Sequence, residues 1–453
     1  MRVLLVRPRP DPASINLQRF MICEPLELET VAAYLTSHGH QVDLVDLILE
    51  HHSLNWFLRR GHYDFVGFTA YINHVQVVKR LARQVKRASP STRTVVGGVH
   101  AEVVPTDFAD PAIDYVLWAN ALQTMAGLAS LPPAEATSLP GVWGPGKVRP
   151  DIEPLSGVFP DREITAQYRA RYNYIFHDHC ATLKTSYGCP FKCRFCFCTQ
   201  ICQYFERDLD EVMAELEQIP ENNVFIVDDN FLYRPSRLRE FCAKLDQHGI
   251  VKKFIAFGRA DFITHHEDII QLLARHGFEA FFVGLESFRA EELDDYGKRT
   301  SVQQNIAAVR TLEHAGVQCY AGIIVGPDWT KADFDALVSQ LNQFDHPAVN
   351  IQPITPMPGT PLFDEATGVT ISREHSELWD MAHLSFKPQK MSARAYYWNI
   401  LRAYLNTSAT PAQRRYLLGR WGRRTYNRVR FGAAGIAWQY IKLVVKPGKV
   451  ESS

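Results

Sequence analysis

The chain runs to 453 residues, too many for one ordinary domain and enough for two domains with an extension, each burying its own core. Its 46% hydrophobic and 22% charged residues exclude a disordered or low-complexity protein, and an apolar run of four residues before Arg7 and Pro8 is too short for a secretory leader, which predicts a cytoplasmic protein. The net charge of zero hides an asymmetry: residues 381–450 hold 14 Lys and Arg and no acid, leaving 35 basic against 49 acidic residues elsewhere, a formal charge of −14. A basic tail on an acidic body predicts an anionic surface as partner.

Over the first 120 residues, apolar runs at 3–6, 42–45, 65–68, 94–96 and 115–117 alternate with helical patterns such as 26–38 and 75–88. Five strands separated by helices predict a doubly wound, Rossmann-like parallel sheet in a domain at 1–130. Residues 131–180 are richer in Pro and Gly, lack sustained periodicity and are assigned to a linker. A second series of strands at 182–186, 224–227, 254–257, 281–283, 318–324 and 349–354 predicts a partial (β/α)6 barrel over 181–368. The remainder, 369–453, is patterned as helix and ends in the basic tail. Segments 417–429 and 433–445 read as two amphipathic helices, each shorter than the ~20 residues of a membrane span.

Six of the nine cysteines, Cys180, Cys189, Cys193, Cys196, Cys198 and Cys202, fall within 23 residues, which in a reducing compartment reads as metal binding. Cys189, Cys193 and Cys196 form Cys-x3-Cys-x2-Cys just after the first predicted barrel strand. A cubane iron–sulfur cluster normally takes four thiolates, so three leave one iron open to a further ligand. The competing reading is structural zinc with Cys198 or Cys202 as fourth ligand, although such sites usually split their ligands into two distant pairs.

This spacing, its place after a strand, and Phe195 before the last cysteine resemble the radical S-adenosylmethionine (AdoMet) enzymes, and the preceding sheet resembles the subset with a cobalamin-binding domain. The resemblance implies a [4Fe-4S] cluster on Cys189, Cys193 and Cys196, with AdoMet on the open iron, and leaves Cys180, Cys198 and Cys202 as non-ligands. It implies that Phe195 packs on the adenine, that Asp228 and Asp229 contact the AdoMet amino group, and that Arg259 and Glu286 contact its carboxylate and ribose. Each of the last four ends a barrel strand, where barrel chemistry sits. Residues 355–361, Thr-Pro-Met-Pro-Gly-Thr-Pro, match a family landmark after the sixth strand, a pattern plain turn chemistry also produces.

For cobalamin, the resemblance points to Glu24-Pro25-Leu26 at the first helix and to Thr69, Gly97 and Gly98 at strand ends. Two departures stand out. The lower-ligand motif Asp-x-His-x-x-Gly is missing, with no histidine between Arg7 and Phe20, and Trp118-Ala119-Asn120-Ala121 stands where relatives carry Gly-Glu-Gly-Glu.

The two-domain resemblance implies a cobalamin-dependent methyltransferase: a 5′-deoxyadenosyl radical takes hydrogen from an unactivated carbon, which then receives the methyl group of methylcobalamin. Alternatives are another radical outcome (cyclisation, ring contraction or carbon–carbon coupling) and a non-enzymatic cobalamin or iron–sulfur sensor. Segments 9–12 and 21–26 are similar to hopanoid C-3 methylases, which implies a hopanoid or other isoprenoid lipid as substrate. A reductase, flavodoxin or ferredoxin electron donor and peripheral membrane association through the basic tail are expected, and nucleic acid is not.

Overall fold

Five apolar runs become an all-parallel sheet in the computed structural model, which describes residues 1–447 apart from Pro154 and Pro347. Strands β1 (Arg2–Arg7), β2 (Gln41–Asp46), β3 (Phe65–Thr69), β4 (Arg93–Gly97) and β5 (Tyr115–Val116) lie in the order β2-β1-β3-β4-β5. Alternate side chains serve opposite faces: Leu4, Val6, Val66, Phe68 and Val96 join one core, and Val3, Leu5, Phe65 and Val95 the other. Helices α1 (Leu26–Ser37) and α2 (Val75–Ala88) belong to these two layers. Strand order reverses between β1 and β3, and in a doubly wound sheet a ligand crevice opens beyond the strand ends at that switch.

The second sheet has six parallel strands in unbroken sequence order: β6 (Cys180–Leu183), β7 (Asn223–Ile226), β8 (Lys253–Arg259), β9 (Phe278–Glu286), β10 (Gln318–Val325) and β11 (Ala348–Pro353). The partial barrel expected from the pattern is therefore present, with helices such as α3 (Leu209–Gln218) packed outside it. Its lower end is filled by aromatic residues: Tyr174 lies 4.1 Å from Phe225, and Phe176 stacks on Trp421 at 5.6 Å.

The aperiodic stretch before the barrel is closely packed. Tyr168, Tyr172 and Arg162 are buried. The Arg162 guanidinium pairs with Glu24 and donates to Glu215 Oε1 at 2.7 Å and to the Thr182 carbonyl at 2.8 Å. Glu24 also accepts from the Thr182 amide at 2.6 Å. One buried network thus joins the start of α1, strand β6 and α3. Removing one member of such a network leaves a buried charge unpaired, at a cost of about 3–5 kcal/mol.

After the barrel come α4 (Ala393–Ser408) and α5 (Pro411–Val445). The expected break between 429 and 433 is absent: α5 runs through those residues and breaks at Gly422, which takes φ 75° and ψ 167°. Gly432 stays helical because it faces Phe20 so closely that a Cβ would come within 2.6 Å of the ring. No described helix is long and apolar enough to cross a membrane. Residues 448–453 of the expected C-terminal region lie outside the described residues.

Candidate active site

Beyond β6 the chain turns sharply to present the three cysteines. Gly188 takes φ 66°, and a Cβ there would meet the Cys202 and Gln203 carbonyls at 2.7 Å, so the turn requires glycine. The base of the loop is pinned by Asp228, just beyond β7. Its buried carboxylate accepts from the Thr185 amide at 2.6 Å, the Thr185 hydroxyl at 2.5 Å and the Ser186 hydroxyl at 2.7 Å. These bonds engage both carboxylate oxygens, so Asp228 anchors the base of the cysteine loop.

Cys189, Cys193 and Cys196 are half-buried free thiols, and a turn closes between them, the Cys196 amide donating to the Cys193 carbonyl at 3.1 Å. Burial pushes the Cys189 thiol up to about 11 and raises Cys193 as well, against the pull of Lys298 and Arg259. Cys196 is lowered, chiefly by a hydrogen bond from Cys198. Among the described residues no three His, Cys, Asp or Glu side chains gather around a single ion, as tetrahedral zinc would need. Three thiols spread around one short loop are the donor set that suits separate irons of a cubane.

Three strand ends converge on this loop. Arg259, at the end of β8, pairs with Asp261 at 3.0 Å, donates to the Lys298 carbonyl at 2.7 Å and reaches the Cys193 sulfur at 3.7 Å, its guanidinium 3.9 Å above the Phe191 ring. Glu286, at the end of β9, takes φ 59°, a left-handed conformation rare for a residue with a side chain, and pairs with Lys298 at 2.7 Å. Asp229 is half-buried and accepts from the Cys198 thiol at 3.3 Å. Phe195 meets Tyr296 edge-on at 5.7 Å. Cys193, Arg259, Lys298 and Glu286 therefore form one connected charged cluster. Lys298 and Phe191 were missed in the sequence because only their partners give them meaning. The loop at 355–361 spans two neighbours: Leu362 just after it donates to the Arg194 carbonyl at 3.0 Å, and Gly359 lies against Val103, in the helix at 99–103 of the first domain.

The expected cobalamin residues lie at strand ends of the first sheet. Gly98 has φ 92°, and a side chain there would strike the Thr69 hydroxyl at 2.7 Å and the Ala70 amide at 2.8 Å. Its space is filled by protein, so this glycine serves the packing of β3 against β4; Gly97 faces Leu117 with ordinary clearance. The Thr69 hydroxyl donates to Glu27 at 3.4 Å. Asn120, in the departure from the family pattern, takes φ 49°, a conformation asparagine tolerates, and its amide group bonds the Asp151 carbonyl at 2.9 Å and the Glu153 amide at 2.8 Å. Tyr71, just past β3 at the switch point, is 51% exposed. Its hydroxyl is nevertheless raised, first by burial and then by Glu27, with Arg7, Cys23 and the barrel's Asp229 also acting on it.

Comparison with known proteins agrees with this geometry. The profile of the Radical SAM superfamily matches residues 183–341, and that of the B12 binding domain matches residues 15–129. The chain is 28% identical to the hopanoid C-3 methylase of Methylococcus capsulatus over 89% of its own length and 79% of that protein. It is 24% identical to the anaerobic magnesium-protoporphyrin IX monomethyl ester cyclase of Cereibacter sphaeroides over 84% of this chain and 67% of the relative. Among solved structures, the cobalamin-dependent S-adenosylmethionine radical enzyme OxsB superposes with TM-score 0.70 at 15% identity, covering 100% of this chain and 73% of that one. The radical S-adenosylmethionine methyltransferase TsrM from Kitasatospora setae gives 0.66 at 16% identity, covering 97% and 99%.

Proposed function

Because this chain is a radical AdoMet enzyme carrying a B12-binding domain, we propose that it methylates an unactivated carbon of a hopanoid or other isoprenoid lipid. The observation that supports the reading is the half-buried Cys189, Cys193 and Cys196 loop beyond the first barrel strand, followed by a segment, 198–201, in contact with the helix at 99–103 of the first domain. The cofactors that go with these domains are a [4Fe-4S] cluster, AdoMet and cobalamin, which when bound supply a hydrogen-abstracting 5′-deoxyadenosyl radical and a transferable methyl group. The chain's part is to hold and orient them and to exclude water. The three thiolates would hold three irons, and Asp228 keeps their loop in register with β7. Arg259 and Lys298 bring positive charge beside Cys193, where the AdoMet carboxylate would sit, and Glu286 offers a carboxylate to its ribose. Asp229 suits the AdoMet ammonium and Phe195 the adenine. Thr69 and the backbone at Gly97 and Gly98 border the crevice where cobalamin would sit. An electron donor of the flavodoxin or ferredoxin class and a cytoplasmic setting complete the proposal.

Support for the lipid substrate comes from the similarity to hopanoid C-3 methylase across most of the chain. The similarity to a cyclase favours a second reading, in which the same radical closes a ring. Products separate the two. Methyl transfer yields 5′-deoxyadenosine and S-adenosylhomocysteine in roughly equal amounts, whereas deoxyadenosine without S-adenosylhomocysteine rejects it.

A further inference from the structure

The second half of α5 is apolar on two faces. Toward the protein it packs Ile436, Tyr440 and Leu443 into the main core and sets two glycines against the N-terminal loop, where a Cβ on Gly432 would meet Phe20 at 2.6 Å and one on Gly435 would meet Arg19 at 2.6 Å. Toward solvent it turns Phe431, Ala434, Trp438, Ile441 and Val445, spaced i, i+3, i+7, i+10 and i+14 on one stripe. Phe431 and Val445 are 67% exposed and Trp438 58%. At 1.5 Å per residue the stripe is about 21 Å long. Helix α4 packs alongside, Arg394 donating to the Val445 carbonyl at 3.1 Å, and adds exposed Trp398 and Leu405. Large apolar residues exposed on two helices packed side by side are an unusual surface for a protein in water.

The charge that α4 and α5 themselves carry has one sign, and the acids set against them, Asp335 and Asp178, are paired with Arg402 and Arg428. From Met381 to the last described residue there is no Asp or Glu. Arg414, Arg415, Arg423, Arg424, Arg430 and Lys442 make no ion pair among the described residues, and all six are exposed. Arg424 continues the apolar stripe one heptad before Phe431. Apolar and tryptophan side chains in the middle, flanked by basic residues, are the composition of a helix lying in the interface of an anionic bilayer.

We propose that the outward face of α4 and α5 docks on an anionic lipid surface. A second protein chain would be served by an apolar stripe alone, whereas the uniformly basic rim matches anionic headgroups. The loop that Gly432 and Gly435 clasp, ending at Phe20, leads into Cys23, which packs against the aromatic cluster in the barrel, and Glu24, which pairs with Arg162. The proposal deepens the lipid-substrate reading without requiring methyl transfer.

The test is flotation of the full-length, anaerobically reconstituted protein with vesicles of phosphatidylglycerol and phosphatidylethanolamine, and with vesicles of phosphatidylcholine alone. Binding to the first and not the second, lost at raised salt and accompanied by a blue shift of tryptophan emission, is the expected result. The substitutions F431S/W438S/V445S should abolish flotation, and R423E/R424E should weaken it at least tenfold, since each basic residue near such a surface contributes about a fivefold factor. Both variants should keep the parent's iron content and cobalamin spectrum, which controls for folding. Failure of the parent to float, or equal binding to neutral vesicles, overturns the proposal, as does a concentration-dependent dimer abolished by F431S/W438S/V445S. AdoMet cleavage measured in the same samples shows whether docking alone has failed or the enzyme reading with it.

Discussion

Replacing Asp228 by alanine removes one carboxylate and leaves three donors, the Thr185 amide and the Thr185 and Ser186 hydroxyls, facing a small gap. Hydrogen bonds to a charged group contribute about 1.5–3 kcal/mol each, and a buried donor left alone costs about 1–3 kcal/mol. Part of that loss is returned because the charge no longer has to be buried; burial is the largest influence on this carboxyl and raises it above the ordinary range. A net destabilisation on the order of 3–5 kcal/mol follows. Asp228→Asn keeps an oxygen for the Thr185 amide and should lose about half as much. Denaturant midpoints of the apoprotein measure the stability, and iron per chain after anaerobic reconstitution measures the loop. Alanine should lower both, because Thr185 and Ser186 lead into Cys189. The reasoning is refuted if Asp228→Ala is as stable as the parent and loads iron fully but binds AdoMet weakly, the signature of a direct AdoMet contact.

Gly98→Ala should cost about 2–4 kcal/mol by chemical denaturation, since it combines a left-handed φ with a clash against Thr69 and Ala70; an unchanged midpoint would show that the β3 and β4 ends yield freely. Burial holds the His74 imidazole down at about 4, so the folded chain stays neutral there while the unfolded chain takes up a proton. Stability from this residue is complete above about pH 6.5 and falls by about 3 kcal/mol as the pH drops toward 4, where it levels off. His74→Phe should flatten that part of the pH–stability profile, measured by denaturant titration at each pH. Alanine at Cys189, Cys193 or Cys196 should remove the cluster's visible absorbance and AdoMet cleavage, whereas alanine at Cys180 or Cys202 should leave both; loss with Cys202→Ala would instead indicate a fourth protein ligand.

The parts of this molecule legible from sequence are those in which a residue's meaning is local. Runs such as Val3 to Val6 announce buried parallel strands, and three cysteines in one loop announce their chemistry without reference to the rest of the chain. What stayed hidden depends on partners distant in sequence. That Asp228 anchors the cysteine loop through Thr185 and Ser186 could not be read from its own place after a strand. That Gly98 is required by the packing of its own Cα against Thr69 and Ala70 is likewise visible only in the fold. Arg162 sits in a stretch with no periodicity and yet joins Glu24 to Glu215. The helix break fell at Gly422 because only there does the backbone turn left-handed, while Gly432 was already committed to packing on Phe20. The second half of α5 was readable as amphipathic, but that its inward face would be Ile436, Tyr440 and Leu443, leaving Phe431 and Trp438 outside, depends on the core they meet.

The account depends above all on three thiolates leaving one iron free to bind AdoMet. Electron–nuclear double resonance on the reduced, oxygen-free protein with AdoMet labelled at its amino nitrogen and carboxylate oxygens tests this directly. Hyperfine coupling from both labels to the cluster is the expected result. A reduced cluster that shows neither coupling, with AdoMet demonstrably bound, would contradict it.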